Sequence, residues 1–137
     1  MSLTVTNQQI ADAFGYPMLT EGALNRLRAS QKTTALVSNM VRKATRIAAG
    51  ALSDLHEART ALIETCAKKD EAGANVPDGR GGTELAEPDR FVAEYNDLMA
   101  KSVTLEGVEP IPFGKIAHLD ISGDDLDALE PFLSDVP

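Results

Sequence analysis

The stretch that decides the fold is residues 31–69, QKTTALVSNMVRKATRIAAGALSDLHEARTALIETCAKK. Apolar or small residues recur along it in steps of three or four, at Leu36, Met40, Ala44, Ile47, Ala51, Leu55, Ala58, Leu62 and Cys66. A second row widens this apolar face, at Val37, Val41, Ala48, Leu52 and Ile63. Because no proline interrupts the stretch, the spacing predicts one continuous α-helix. Such a helix needs a cover for its apolar face, either from the rest of the chain or from another copy.

The composition predicts one small domain with an aliphatic core. The chain has 137 residues, of which 43% are hydrophobic and only 4% aromatic, and it has no tryptophan. Alanine-rich cores of this kind suit close helix–helix packing. The single cysteine, Cys66, excludes an internal disulfide framework, and its place in the apolar row indicates a buried thiol. The sequence has neither an apolar run of about 18 residues nor a basic and apolar leader, so we expect no membrane span and no secretory signal.

Turn and capping patterns divide the rest of the chain. Residues 1–30 are predicted to hold short helices, the first of them capped by Thr6 and Gln9. Whether residues 20–69 form one helix or two is left open. A mobile loop over 70–87, rich in glycine, is followed by a helix over about 88–102. The two long helices are expected to pack as an antiparallel hairpin through Leu36, Met40, Ile47, Leu55, Leu62, Phe91, Tyr95 and Leu98.

The C-terminal third changes pattern. Residues 103–108 and 115–121 alternate apolar and polar side chains, which is typical of half-buried strands. Ser122 followed by Asp125 predicts the start of a short acidic helix over 123–133. No internal repeat is evident. The predicted fold is therefore mainly α: a single domain over 1–137, with N-terminal helices (1–30), a helical hairpin (31–102), a small β element and a short C-terminal helix (103–137).

Charge is separated along the chain. The net charge is −8, yet residues 22–53 contain six basic residues and no acidic one, whereas residues 83–137 contain 13 acidic and three basic residues. The sequence predicts a basic interaction patch of Arg28, Lys32, Arg42, Lys43 and Arg46, and an acidic interaction surface on the C-terminal helix of Asp124, Asp125 and Asp127. The acidic part can fold over the basic part or meet the basic part of another copy, or the basic part can bind an anion or a nucleic acid.

No grouping of residues indicates catalysis, a metal or a cofactor. His56 and His118 are isolated, and the glycines at 79–82 lack the strand and the lysine of a P-loop. We therefore expect a non-enzymatic protein without cofactor or metal. The acidic balance and the scarcity of aromatics disfavour nucleic acid as a partner. The expected partners are a second copy or another protein, and a small anionic ligand between subunits stays open.

The order of elements resembles a family of short phage and prophage proteins of unknown function. The resemblance rests on the turn at 69–73 (KDEAG), the helix segment FVAEYNDL at 91–98, the strand-like VTLE at 103–106 and the terminal acidic helix. It implies a viral origin and a location in the host cytoplasm, with incorporation into the virion as an option. It supplies no catalytic residue.

These observations lead to two functional hypotheses. The first is a virion- or tail-associated structural or assembly accessory protein that acts through helix-mediated oligomerisation. The second is a phage inhibitor that binds or sequesters a component of host defence.

Overall fold

The chain is mainly α-helical over the residues that the computed structural model describes, which are 2–16, 22–30 and 33–137. Its helices are α1 (Asn7–Phe14), α2 (Ala23–Ala29), α3 (Ala35–Cys66), α4 (Pro88–Ala100) and α5 (Gly123–Leu129). Its strands are β1 (Ser2–Thr6), β2 (Ser102–Glu106), β3 (Ile111–Pro112) and β4 (Leu133–Ser134). The chain forms two compact units, a terminal unit of residues 1–52 and 102–137 and a central unit of residues 53–101. Helix α3 contributes its first half to the terminal unit and its second half to the central unit.

Helix α1 begins with the predicted capping box. The Thr6 hydroxyl accepts a hydrogen bond from the Gln9 amide at 3.1 Å, and the Gln9 side chain accepts one from the Thr6 amide at 2.9 Å. These two bonds satisfy amides that the first helical turn leaves without partners. Gly15 ends the helix in the left-handed conformation, with φ of 70°.

Two separate helices, α2 and α3, lie in the described part of the region 20–69. Helix α2 ends at Ala29, and Ser30 has the extended angles φ −64° and ψ 130°. Helix α3 starts at Ala35 and continues without interruption to Cys66. The long helix predicted over 31–69 is thus confirmed with a later start and an earlier end.

Helix α3 buries a different row in the terminal unit from the one that the sequence analysis puts first. Leu36, predicted to pack, is 70% exposed, whereas Met40 and Ile47 are half-buried and pack against the core as predicted. The buried apolar residues are Val37, Val41, Ala44 and Ala48, each at most 2% exposed. Three of these four belong to the second row, so the centre of the buried face is rotated by about 70° from the centre of the first row.

Strands β1 and β2 form an antiparallel pair that joins the two ends of the terminal unit. Leu3 lies opposite Leu105, and Val5 opposite Val103. The prediction of a second strand over 115–121 is wrong. The chain makes a 3₁₀ turn at Phe113–Lys115 and continues in turns, where the Leu119 amide donates to the Ile116 carbonyl. Apolar residues recur there every three positions as well as every two, and three residues per turn is the 3₁₀ period.

The C-terminal segment closes the core of the terminal unit. The Ser122 hydroxyl accepts a hydrogen bond from the Asp125 amide at 3.1 Å, as predicted, and caps α5. A 3₁₀ turn follows and brings Phe132 to full burial. Strand β4 then pairs in parallel with β3, so that Leu133 lies opposite Ile111.

The central unit contains hydrogen-bonded turns where the sequence analysis expects a mobile loop over 70–87. The amide of Lys68 donates to the carbonyl of Glu84, that of Glu84 to Val76, and that of Val76 back to Lys68, at 2.8 to 3.0 Å. Three extended segments therefore form a closed ring of hydrogen bonds. The carboxylates of Asp70 and Asp78 each accept two backbone amides in the turns between the segments.

The two turns of this ring share a short sequence pattern. Each is an Asp-x-x-Gly sequence, and the second follows the first after eight residues. The glycines, Gly73 and Gly81, have φ of 83° and 85°, which other residues rarely adopt. An eight-residue internal repeat is thus present that the sequence analysis does not find.

Helix α4 begins at Pro88, in the first turn as predicted. The Phe91 and Tyr95 rings stack with their centroids 5.5 Å apart. Among the apolar residues of α4, Met99 is buried, whereas Phe91, Tyr95 and Leu98 are half-buried. On the second half of α3, Leu55 is 2% exposed and Leu62 is half-buried.

Candidate functional site

A basic groove on the terminal unit is the strongest candidate for a functional site. It has a volume of about 710 Å³ and lies along α1, α2 and the first half of α3. Four cationic side chains line it, together with two asparagines, a threonine and three apolar residues. The lining residues are Phe14, Asn25, Arg28, Asn39, Arg42, Lys43, Thr45, Arg46, Ala49 and Leu52.

The burial pattern of α3 turns the cations of the groove outwards. Val41 and Ala44 are buried, so Arg42 and Lys43, which lie between them in sequence, emerge on the other side of the helix. Arg46 follows Arg42 by one turn and is also exposed. Thr45 is buried and its hydroxyl donates to the Val41 carbonyl at 2.7 Å, so it does not compete for a ligand.

Helix α2 supplies the opposite wall. Leu24 and Leu27 are buried, which leaves Asn25 and Arg28 towards the groove. The start of α2 lies against the end of α1, because Gly22 has no side chain. A Cβ at this position would lie 2.4 Å from the backbone carbon of Phe14.

The groove has no internal counter-charge among the residues that the structure describes. None of its lining residues is acidic. Within the described ranges, no carboxylate forms an ion pair with Arg28, Arg42, Lys43 or Arg46. Four like charges within one groove repel each other, and an anionic ligand relieves that repulsion.

One basic residue of the N-terminal half is neutralised by the C-terminal helix. Arg26 donates to Asp125 through two nitrogens, at 2.7 and 2.5 Å, in the parallel arrangement typical of a strong arginine–carboxylate pair. The hydrogen bond from Arg26, aided by its charge, lowers the pKa of Asp125 below its ordinary value. The acidic segment thus folds over the basic segment at this one pair.

A smaller pocket adjoins the Arg26–Asp125 pair. Its volume is about 370 Å³, and aliphatic residues of α2, α5 and the preceding turn form its wall. Leu27, Leu119 and Leu129 are among them. Asp120 also lines this pocket, so its three charged lining residues carry a net negative charge and attract an anion less than the basic groove does.

An acidic edge lies elsewhere on the terminal unit. We use this name for Asp12, Asp127 and Glu130, which line a shallow depression of about 600 Å³ with Gln9, Ala128 and Pro131. All three carboxylates are exposed. The depression has no cationic lining residue.

The structure brings together four of the five residues of the predicted basic patch. Arg28 reaches the groove from a separate helix, α2, which resolves the alternative that the sequence analysis leaves open. Lys32 lies outside the described residues. Of the predicted acidic surface, Asp125 is engaged by Arg26, whereas Asp124 and Asp127 are exposed.

Several groove residues escape the sequence analysis. Asn39 could have been found, because it precedes Lys43 by four positions and so shares its helix face. Asn25 and Phe14 depend on how α1, α2 and α3 fold together, and no local pattern indicates that.

Comparisons with protein-family models, with curated proteins and with solved structures found no match. Within residues 2–16, 22–30 and 33–137, no group of three His, Cys, Asp or Glu side chains is placed to hold a metal ion. In the same residues, no helix combines the length and the apolar character needed to cross a bilayer.

Proposed function

We propose that this chain is a non-enzymatic interaction protein that assembles with an acidic protein surface through the basic groove. The observation that carries the proposal is the set of four cations, Arg28, Arg42, Lys43 and Arg46, in a groove without a carboxylate. Three of the four are arginines, whose planar guanidinium groups hold carboxylates through paired hydrogen bonds.

The other lining residues favour a protein ligand over a nucleic acid. Phe14, Ala49 and Leu52 give the groove apolar area beside its charges, as protein interfaces have. The whole chain carries a net charge of −8, which repels a polyanion at long range. A nucleic-acid site usually extends its positive charge along a whole face and adds exposed aromatics for stacking.

The central unit offers a second contribution to assembly. We place α4 along the second half of α3 as an antiparallel hairpin, with Leu62, Phe91, Tyr95 and Leu98 between the helices. The half-burial of these residues supports this arrangement. Apolar side chains that a thin hairpin covers only in part gain stability when another chain covers them.

The biological form that we propose is an assembly accessory of a phage virion or tail, in keeping with the resemblance to short phage proteins. The host cytoplasm is then the place of synthesis, and the virion the place of use. A component of host defence with an acidic surface would fit the same groove, which keeps an inhibitor of host defence as the second candidate.

The test is the mass in solution at low and high salt, by light scattering at about 0.05 M and about 0.5 M salt. Exposed charge pairs weaken as salt screens them, so we expect a multimer that dissociates at high salt. A variant with Arg42→Glu and Arg46→Glu should be monomeric at both. The matched control is Arg80→Glu with Lys101→Glu, which makes the same change of net charge outside the groove.

The outcomes separate the two candidates. A wild-type multimer that persists in the groove variant contradicts assembly through the groove. A wild-type monomer at both salt concentrations contradicts self-assembly. The groove is then tested against host lysate proteins, with the groove variant as the negative control.

A further inference from the structure

We infer that the partner of the basic groove is the acidic edge of a second copy, so that copies join head to tail. The inference rests on the proposed function and specifies it. It identifies the acidic surface as Asp12, Asp127 and Glu130, and it determines the kind of assembly that results.

The carboxylates of the acidic edge are available to a partner. Asp127 and Glu130 are exposed and form no ion pair within the described ranges. Asp12 is exposed as well, and accepts only a neutral hydrogen bond, from the Gln8 side chain at 2.8 Å. Asp125, by contrast, is already bound by Arg26. Each copy thus has three carboxylates on its acidic edge and four cations in its groove. Neither surface has an oppositely charged lining residue of its own.

The two surfaces suit each other beyond charge. The acidic edge includes Ala128 and Pro131, and the groove includes Phe14, Ala49 and Leu52. Contact between the two surfaces would thus bury apolar atoms as well as pair charges. Both surfaces belong to the terminal unit, so each copy presents them in a fixed relation.

The position of the two surfaces around α1 decides the type of assembly. Asp12 belongs to the acidic edge and Phe14 to the groove, and residues two apart on a helix point about 200° apart. The surfaces therefore face different directions, and they share no lining residue. In a symmetric dimer built on this contact, the groove and the edge of one copy would both have to meet the same second copy at once. Surfaces that face apart instead make a heterologous contact, which produces a ring or an open filament.

The experiment uses two variants of the full chain that each keep one surface intact. The groove variant carries Arg42→Glu and Arg46→Glu, and the edge variant carries Asp127→Lys and Glu130→Lys. We expect each variant alone to be monomeric at low salt, with a self-association constant at least about tenfold weaker than that of the wild type. An equimolar mixture should form heterodimers or longer mixed complexes, because the intact groove of the edge variant meets the intact edge of the groove variant and the two reversed surfaces also carry opposite charges.

Two controls keep the result interpretable. A chain with Glu106→Lys and Asp97→Lys makes the same change of charge away from the edge and should associate as the wild type does. Asp12→Lys is a second edge variant, and it places a cation at the negative end of α1, where it does not disturb the helix.

Each outcome has a defined meaning. A heterodimer or longer mixed complex from two monomeric variants supports the head-to-tail contact. An edge variant that associates like the wild type overturns this inference and leaves the proposed function standing, because the groove then binds another acidic surface. A groove variant that associates like the wild type overturns both. Two monomeric variants that stay monomeric when mixed also overturn the inference.

Discussion

Two leucines of α3 provide a test of the burial pattern in this long helix. Leu36 and Leu55 belong to the same apolar row of the sequence, yet Leu36 is 70% exposed and Leu55 only 2%. The same substitution, to alanine, can be made at both positions. Because alanine is the best helix former, neither variant should lose helical propensity, so burial alone determines the difference between them.

The expected loss of stability follows from the buried area. Leucine to alanine removes three carbons, at about 0.8 kcal/mol for each buried carbon, so Leu55→Ala should cost about 2.4 kcal/mol before any cavity is counted. A large cavity left by the substitution raises the loss of unfolding free energy towards about 5 kcal/mol. We therefore expect Leu55→Ala to cost at least about 2.4 kcal/mol. Leu36→Ala should cost less than about 0.7 kcal/mol.

The assay is urea unfolding followed by far-UV circular dichroism. With a denaturant slope of about 2 kcal/mol per molar, Leu55→Ala should lower the midpoint by at least about 1.2 M and Leu36→Ala by less than about 0.4 M. Equal shifts for the two variants, or a larger shift for Leu36→Ala, would refute the buried face assigned to α3. Leu55→Asp extends the series, and as an unpaired buried charge it should unfold the central unit.

The structure predicts how three further substitutions affect stability. Gly22→Ala should destabilise the protein by about 3 kcal/mol in urea unfolding, because its Cβ would lie 2.4 Å from the backbone of Phe14. Gly50→Ala is its counterpart, since a Cβ there meets nothing within 4 Å, and it should stabilise α3 by up to about 1 kcal/mol, which a higher melting temperature would reveal. Asp125→Asn should be less stable than the wild type at neutral pH, because Arg26 lowers the pKa of this carboxyl in the folded state. The stability from that ion pair is present above the unfolded pKa of about 3.9 and is lost as pH falls through the lower folded value, so the difference between variant and wild type should shrink in melts taken below about pH 4.

Local features of the fold could be predicted from the sequence. The cap of Thr6 with Gln9, the stop at Gly15 and the cap at Ser122 each depend on residues within four positions of each other. The same holds for Arg42 and Arg46, which share a helix face whatever the rest of the chain does. Short-range geometry alone determines these features.

Features that depend on distant residues could not be predicted in this way. The pairing of β1 with β2 joins residues about 100 positions apart, such as Thr4 and Thr104. Arg28 joins the groove only because α2 and α3 are separate helices that pack together. The sequence predicts burial of Leu36, which is exposed, because two apolar rows lie side by side on α3. Which row is buried depends on the elements that cover the helix.

The residues that form the acidic edge could not be predicted from the sequence either. The sequence indicates an acidic C-terminal helix, but it does not indicate that Asp125 turns to Arg26 while Asp127 joins Asp12 from α1. That division arises from tertiary packing. The separation of charge along the sequence predicts a basic and an acidic surface, and the packing of the helices determines which charged residues lie together.

The closed ring of hydrogen bonds at Lys68, Val76 and Glu84 makes the central unit a scaffold for inserted peptides. The ring secures the base of two turns, and the Ala86 amide donates to the Cys66 carbonyl at 2.8 Å, so the chain leaves α3 and returns to α4 at fixed points. The turn tips around Glu71 and Arg80 are exposed. A foreign epitope placed at either tip would be displayed at a defined position while the ends of both helices stay in register, so one chain could carry two different epitopes.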